Sequence, residues 1–130
     1  MCGILGIINS KKQNTTFRKS LRLMNHRGPD YSGEYVNQSV YLGHNRLSIL
    51  DLNKRANQPL QIDDCRIIFN GEVYNYKELI NEYDLDVTTS SDTEVILLMY
   101  IKFGPKCLNF FNGMFSLIIY NEKNDEIINI

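Results

Sequence analysis

The chain has 130 residues, of which 43% are hydrophobic and 22% charged, with a formal net charge of -1. That is the length and composition of one packed domain, and the interspersed charges exclude the basic stripe that nucleic-acid binding needs. Cys2, Cys65, Cys107, His26 and His44 show no metal-ligand spacing, and an odd set of cysteines fits a reducing, cytoplasmic setting.

The continuous apolar run Gly3 to Ile8 predicts a strand covered on both faces. It is too short, and lacks the basic lead, for a signal peptide or membrane span. Thr16 to Met24 carries Phe17, Leu21 and Met24 at helical spacing, with Thr15 or Thr16 as N-cap. Gly28 and Pro29 break that helix. Gly33 to Val36 and Val40 to His44 predict two strands joined around Asn37-Gln38-Ser39, and Asn53 to Leu60 a polar loop containing Pro59. Arg66 to Phe69 predicts a strand that ends in a turn at Asn70-Gly71. A helix follows from Asn75 to Tyr83. Ser91 to Phe103 predicts a second helix, opened by a capping box of Ser91 and Glu94, packed through Val95, Leu98, Met99 and Phe103, and stopped by Gly104-Pro105. Met114 to Tyr120 and Glu126 to Ile130 predict a hairpin. The mixture indicates α+β layers.

Cys2 directly follows the initiator methionine. If Met1 is removed, one residue carries both a thiol and a free amine, with ordinary pKa values of about 8.5 and about 7.7–8.0. Such an amine can accept the thiol proton and later protonate a leaving amine. The competing reading is a small buried residue that starts a strand. Asn70 and the N–H of Gly71 are donors that can converge on an oxyanion, or simply form a tight turn. Arg46 presents a planar guanidinium that suits a carboxylate. Asp92, in the first turn of a helix, suits an ammonium or the helix dipole. Together, a nucleophile, an oxyanion site, a carboxylate binder and an ammonium binder describe an amino-acid amide substrate.

Five blocks carry a family resemblance. They are Met1-Cys2-Gly3-Ile4 with Gly6; His26-Arg27-Gly28-Pro29-Asp30 with Ser32-Gly33; Gly43-His44-Asn45-Arg46-Leu47-Ser48-Ile49 with Asp51 and Gln58-Pro59-Leu60; Phe69-Asn70-Gly71-Glu72-Val73-Tyr74-Asn75; and Ser91-Asp92-Thr93-Glu94-Val95-Ile96, with Asn112-Gly113-Met114-Phe115 beyond. In this order they resemble the N-terminal glutaminase domain of asparagine synthetases, within the class II glutamine amidotransferases. The resemblance implies a four-layer αββα sandwich of the N-terminal nucleophile hydrolase type, here C-terminally incomplete relative to the family, with residues 1–130 forming a partial amidotransferase domain and no synthetase domain.

It further implies L-glutamine as substrate, Cys2 as nucleophile with its own amine as base, and Asn70 with Gly71 as oxyanion hole. Arg46 would take the α-carboxylate, and Asp92 with Glu72 the α-amino side. Backbone groups of Leu47, Ser48, Ile49, Leu50 and Gly71 would line the pocket. No metal or cofactor belongs to this domain; ATP and magnesium are expected only in a synthetase domain or subunit, the implied partner that receives the ammonia. His26 and His44 are expected to be structural, and Cys65 and Cys107 spectators. Two other readings stay open. One is a non-catalytic glutamine-binding or assembly module of the same fold. The other is an amide hydrolase or glutaminase serving a different chemistry, such as secondary metabolism or sugar modification.

Overall fold

A computed structural model describes residues 2–8 and 14–130. In chain order the elements are β1 (Gly3–Ile8), α1 (Asn14–Leu23), β2 (Tyr31–Val36), β3 (Val40–Arg46), β4 (Leu60–Ile62), β5 (Cys65–Val73), α2 (Tyr76–Tyr83), α3 (Asp92–Phe103), β6 (Gly113–Asn121) and β7 (Glu126–Asn129). Short 3-10 turns occupy Asn25–Arg27, Lys54–Ala56 and Gly104–Phe110.

Alternation along the strands builds the layers, because successive side chains point to opposite faces. Strands β1, β3 and β2 form one antiparallel sheet in that order, and β4, β5, β6 and β7 a second. Between the sheets, Val40 and Leu42 of the first meet Ile68 and Tyr120 of the second, with Ile4 and Ile118 packed alongside. On its outer face the first sheet presents Leu5, Ile7 and Tyr41 to Phe17 and Leu21 of α1. The outer face of the second presents Ile67, Phe69, Leu117 and Ile119 to Val95, Ile96 and Met99 of α3, with Leu79 of α2 in the same cluster. The result is helix, sheet, sheet, helix: the expected four-layer αββα sandwich. Among the described residues, no helix is long and apolar enough to cross a membrane.

Several local expectations are corrected. Helix α1 already includes Asn14, so Thr15 and Thr16 lie inside its first turn, and the cap itself falls outside the described residues. The stretch read as one polar loop contains a 3-10 turn and ends in β4, an edge strand paired with β5. Asn70-Gly71 is not a turn. Strand β5 runs on to Val73, with Asn70 opposite Ser116 and Gly71 opposite Phe115 on β6. A long cross-strand partner overrides the local turn preference of Asn-Gly.

Helix α3 is also covered on nearly all sides. Ile96, Leu97 and Tyr100 are buried, whereas Leu98 of the expected stripe is only half-buried. Half of the expected capping box forms, with the Ser91 hydroxyl accepting from the Thr93 N–H at 3.3 Å. Glu94 does not reach back to Ser91. Its carboxylate instead accepts the backbone and hydroxyl groups of both Thr88 and Thr89.

Candidate active site

Strand register brings the site together. Gly3 pairs with Asn45, so Cys2 lies one residue beyond β1, beside the end of β3 where Arg46 stands. The Leu47 N–H donates to Cys2 Sγ at 3.4 Å, and Sγ lies 3.7 Å from the Leu47 carbonyl. Arg27 Nε donates to the Cys2 carbonyl at 3.0 Å. Arg27 can come this close because Gly28 packs against the end of β3, where a Cβ would lie 2.2 Å from the Asn45 carbonyl oxygen. Asp30 completes the clamp: its N–H donates to the Arg46 carbonyl at 3.0 Å, and Oδ2 accepts the Ser48 N–H at 2.7 Å. Residues 27–30 therefore hold both the thiol-bearing residue and the strand end. Met1, whose removal would free the Cys2 amine, lies outside the described residues.

Cys2, Asn70, Gly71, Arg46 and Asp92 line one cavity of about 240 Å³. Leu47, Ile49, Leu50 and Glu72 also line it; Ser48 is not among its lining residues, and its N–H donates to Asp30 Oδ2. The walls also include residues that the sequence reading did not single out, among them Gln58, Phe69, Tyr74, Thr93 and Met114. All five stand within the matching blocks, the signal that could have found them, and Gln58 braces the wall. Its Oε1 accepts the Phe69 N–H at 2.6 Å and its Nε2 donates to the Thr93 hydroxyl at 3.2 Å, tying β5 to α3 just before Asn70. Cys2 and Asn70 also line a second cavity of about 330 Å³, which Arg27, Met24 and Ser116 help to bound.

The Asn70 side-chain oxygen is buried without a partner. Among the described residues Asn45 Oδ1 and His44 Nδ1 share that state. The Asn70 oxygen is an acceptor, so only the Nδ2 donor of the same amide can meet an oxyanion. Next to it, Gly71 has φ +149°, a backbone conformation that side-chain-bearing residues rarely adopt.

The charges are arranged unusually. Arg46 is only 6% exposed, and its terminal nitrogens donate to the loop that follows: to Asn53 O at 3.1 Å, Asn57 Oδ1 at 2.7 Å, Leu50 O at 3.1 Å, and Asp51 O. All of these acceptors are neutral, so among the described residues the guanidinium is hydrogen-bonded but has no anionic partner. Asp92 is only 4% exposed and accepts the Val73 N–H at 2.9 Å. Burial pushes its carboxyl above the usual range, and the nearby Glu72 adds to the rise. Among the described residues the ion pairs are Arg18–Glu34, Arg55–Asp51 and Arg66–Glu122. Neither Arg46 nor Asp92 takes part in one.

The other titratable candidates stay out of the cavity. His44 is fully buried between the sheets, with Nε2 3.2 Å from the Phe69 carbonyl, and burial lowers its pKa to about 4. His26 is exposed, with Nδ1 3.0 Å from the Leu23 carbonyl. Burial raises the Cys107 thiol to about 11 and also pushes Cys65 up. Among the described residues, no group of three His, Cys, Asp or Glu is placed to hold a metal ion.

A family profile described as "Glutamine amidotransferase domain" matches residues 1–129. The chain belongs to this family. The amidotransferase domain is 41% identical to asparagine synthetase B [glutamine-hydrolyzing] of Escherichia coli over 96% of its own length and 24% of the relative's. It is 37% identical to asparagine synthetase [glutamine-hydrolyzing] 1 of Bacillus subtilis, over 98% of the chain and 22% of the relative, and 33% identical to the Zea mays asparagine synthetase [glutamine-hydrolyzing], over 98% and 23%. The amidotransferase domain thus spans about a quarter of the length of the curated relatives it matches.

Proposed function

We propose that this domain hydrolyses L-glutamine to glutamate and ammonia through a thioester on Cys2, and that the ammonia serves an ATP-dependent, amide-forming synthetase domain or subunit. The observation that carries the reading is a cavity containing a thiol, a covered cation without an anionic partner and a covered anion without a cationic one. Leaving such charges unpaired is costly. A free α-amino acid supplies both missing partners at once, its carboxylate to Arg46 and its ammonium to Asp92. The carboxylate is the counter-charge that these neutral acceptors do not supply, while the loop carbonyls keep the guanidinium in place.

With Met1 removed, the Cys2 amine takes the thiol proton and Sγ bonds to the glutamine side-chain carbonyl carbon. The oxyanion is held by the Asn70 amide and the Gly71 N–H. The C–N bond then breaks as the amine returns the proton, and ammonia leaves. Water adds to the thioester, and cleavage of the C–S bond releases glutamate and restores the thiol. The chemistry needs a free thiol and hence a reducing setting such as the cytoplasm.

The test joins intact mass, to establish loss of Met1, with glutamate release by wild type and Cys2→Ala. The variant is expected to lose about 10³-fold or more of the rate. Equal release by both proteins would remove Cys2 from the mechanism.

A further inference from the structure

Asp51 has no part in the chemistry described so far, yet its side chain is entirely covered although it belongs to a surface loop. Its backbone has φ +42°, which a non-glycine residue keeps only where its surroundings hold it. Oδ1 accepts from the backbone and side-chain N–H groups of Asn53, both at 3.1 Å. Oδ2 accepts from Arg55 Nε at 3.1 Å and from the Ser90 backbone N–H at 3.0 Å. Its own carbonyl accepts from Arg46.

The Ser90 bond crosses 39 residues of sequence and lands just before Ser91, the cap of α3, and Asp92. One residue thus grips the cation of the pocket through its carbonyl and the anion's helix entrance through its carboxylate. The Ser90 N–H, with Asn53 and Arg55 adding to it, holds the Asp51 carboxyl well below the usual carboxylate range, so this tie persists at any working pH.

Resting on the glutaminase reading, we infer that Asp51 is a positioning residue that fixes Arg46 relative to Asp92 and so makes the pocket selective for an amide bearing both an α-carboxylate and an α-ammonium. These two substrate charges sit on one carbon, so their separation is set by covalent geometry. Counter-charges recognise both only if their own spacing is held equally firmly.

Asp51→Asn keeps the size of the side chain and one acceptor, but faces an N–H2 group toward Ser90 or Asn53. For the full chain, hydrolysis of L-glutamine is compared with that of glutaramate, which has the same amide and carboxylate but no ammonium. In Asp51→Asn the KM for glutamine is expected to rise about 10-fold with kcat within about two-fold, and the preference for glutamine over glutaramate in kcat/KM to fall at least about five-fold. Asp51→Glu, charged but one methylene longer, changes the same two quantities in the same direction and carries the comparison if Asp51→Asn does not fold. Unchanged KM and preference, or an equal loss on both substrates, would overturn the inference. If wild type releases no glutamate the glutaminase reading itself fails, and calorimetric binding of glutamine against glutaramate to wild type and either Asp51 variant still decides the positioning role.

Discussion

A Cβ on Gly71 would lie 2.2 Å from the Met114 carbonyl and 2.5 Å from Phe115 Cα, at φ +149°. The contacts are with backbone atoms of the paired strand, so nothing flexible can yield. Gly71→Ala is expected to destabilise the fold by at least about 2 kcal/mol and to lower kcat by about 10²-fold, because the Gly71 N–H moves off the oxyanion. Urea unfolding beside glutamate release checks both, and an unchanged kcat in the folded variant would separate Gly71 from the oxyanion site. Of the neighbouring Asn70, only Nδ2 can donate to an oxyanion, since the buried Oδ1 is an acceptor.

At the scale of elements, the entrance to α3 is organised by Glu94 as much as by Ser91. Burial pushes the Glu94 carboxyl up, but hydrogen bonds from Thr89 and Thr88 more than offset this and hold it below the usual range. Glu94→Gln presents an N–H2 group to one of those two donor pairs. It is expected to cost about 2 kcal/mol, read from the urea midpoint at neutral pH. Because the folded-state pKa is depressed, the carboxylate's contribution is present above its ordinary pKa and is lost as pH falls through the lowered one. The variant and wild type should therefore converge in acid. A constant gap down to acid pH would show that the ionised form is not what orders residues 88–91.

For the whole molecule, the two sheets meet in an apolar layer that also holds His44. His44 links β3 to the Phe69 carbonyl of β5 while burial depresses its pKa to about 4. The unfolded chain binds that proton more readily, so stability falls as pH drops from about 6.5 toward 4. At about 1.4 kcal/mol per unit of pKa difference, the loss by pH 4.5 is about 2–3 kcal/mol. Asp92, whose carboxyl burial pushes up, acts in the opposite direction by gaining stability when protonated. His44→Gln keeps a donor for Phe69 and does not titrate, so its urea midpoint should fall less than that of wild type between pH 7 and 4.5. Parallel falls would assign the acid sensitivity elsewhere.

The apolar run of β1 and the helical spacings of α1 and α3 are local properties, and they suffice to predict strands and helices in α+β layers, whereas the four-layer sandwich is implied by the family resemblance. The motif blocks named Cys2, Arg46, Asn70, Gly71 and Asp92, and those residues do line one cavity. Other features depend on partners far along the chain and have no local signature. Asn70-Gly71 looks like a turn until β6 pairs with it. Glu94 looks like half of a capping box until Thr88 and Thr89 claim it. The side-chain types and their order established which chemical groups were available. Which charges remain unpaired, and what Asp51 joins across 39 residues, is decided only when the folded chain allots a finite number of donors, acceptors and counter-charges among competitors distant in sequence.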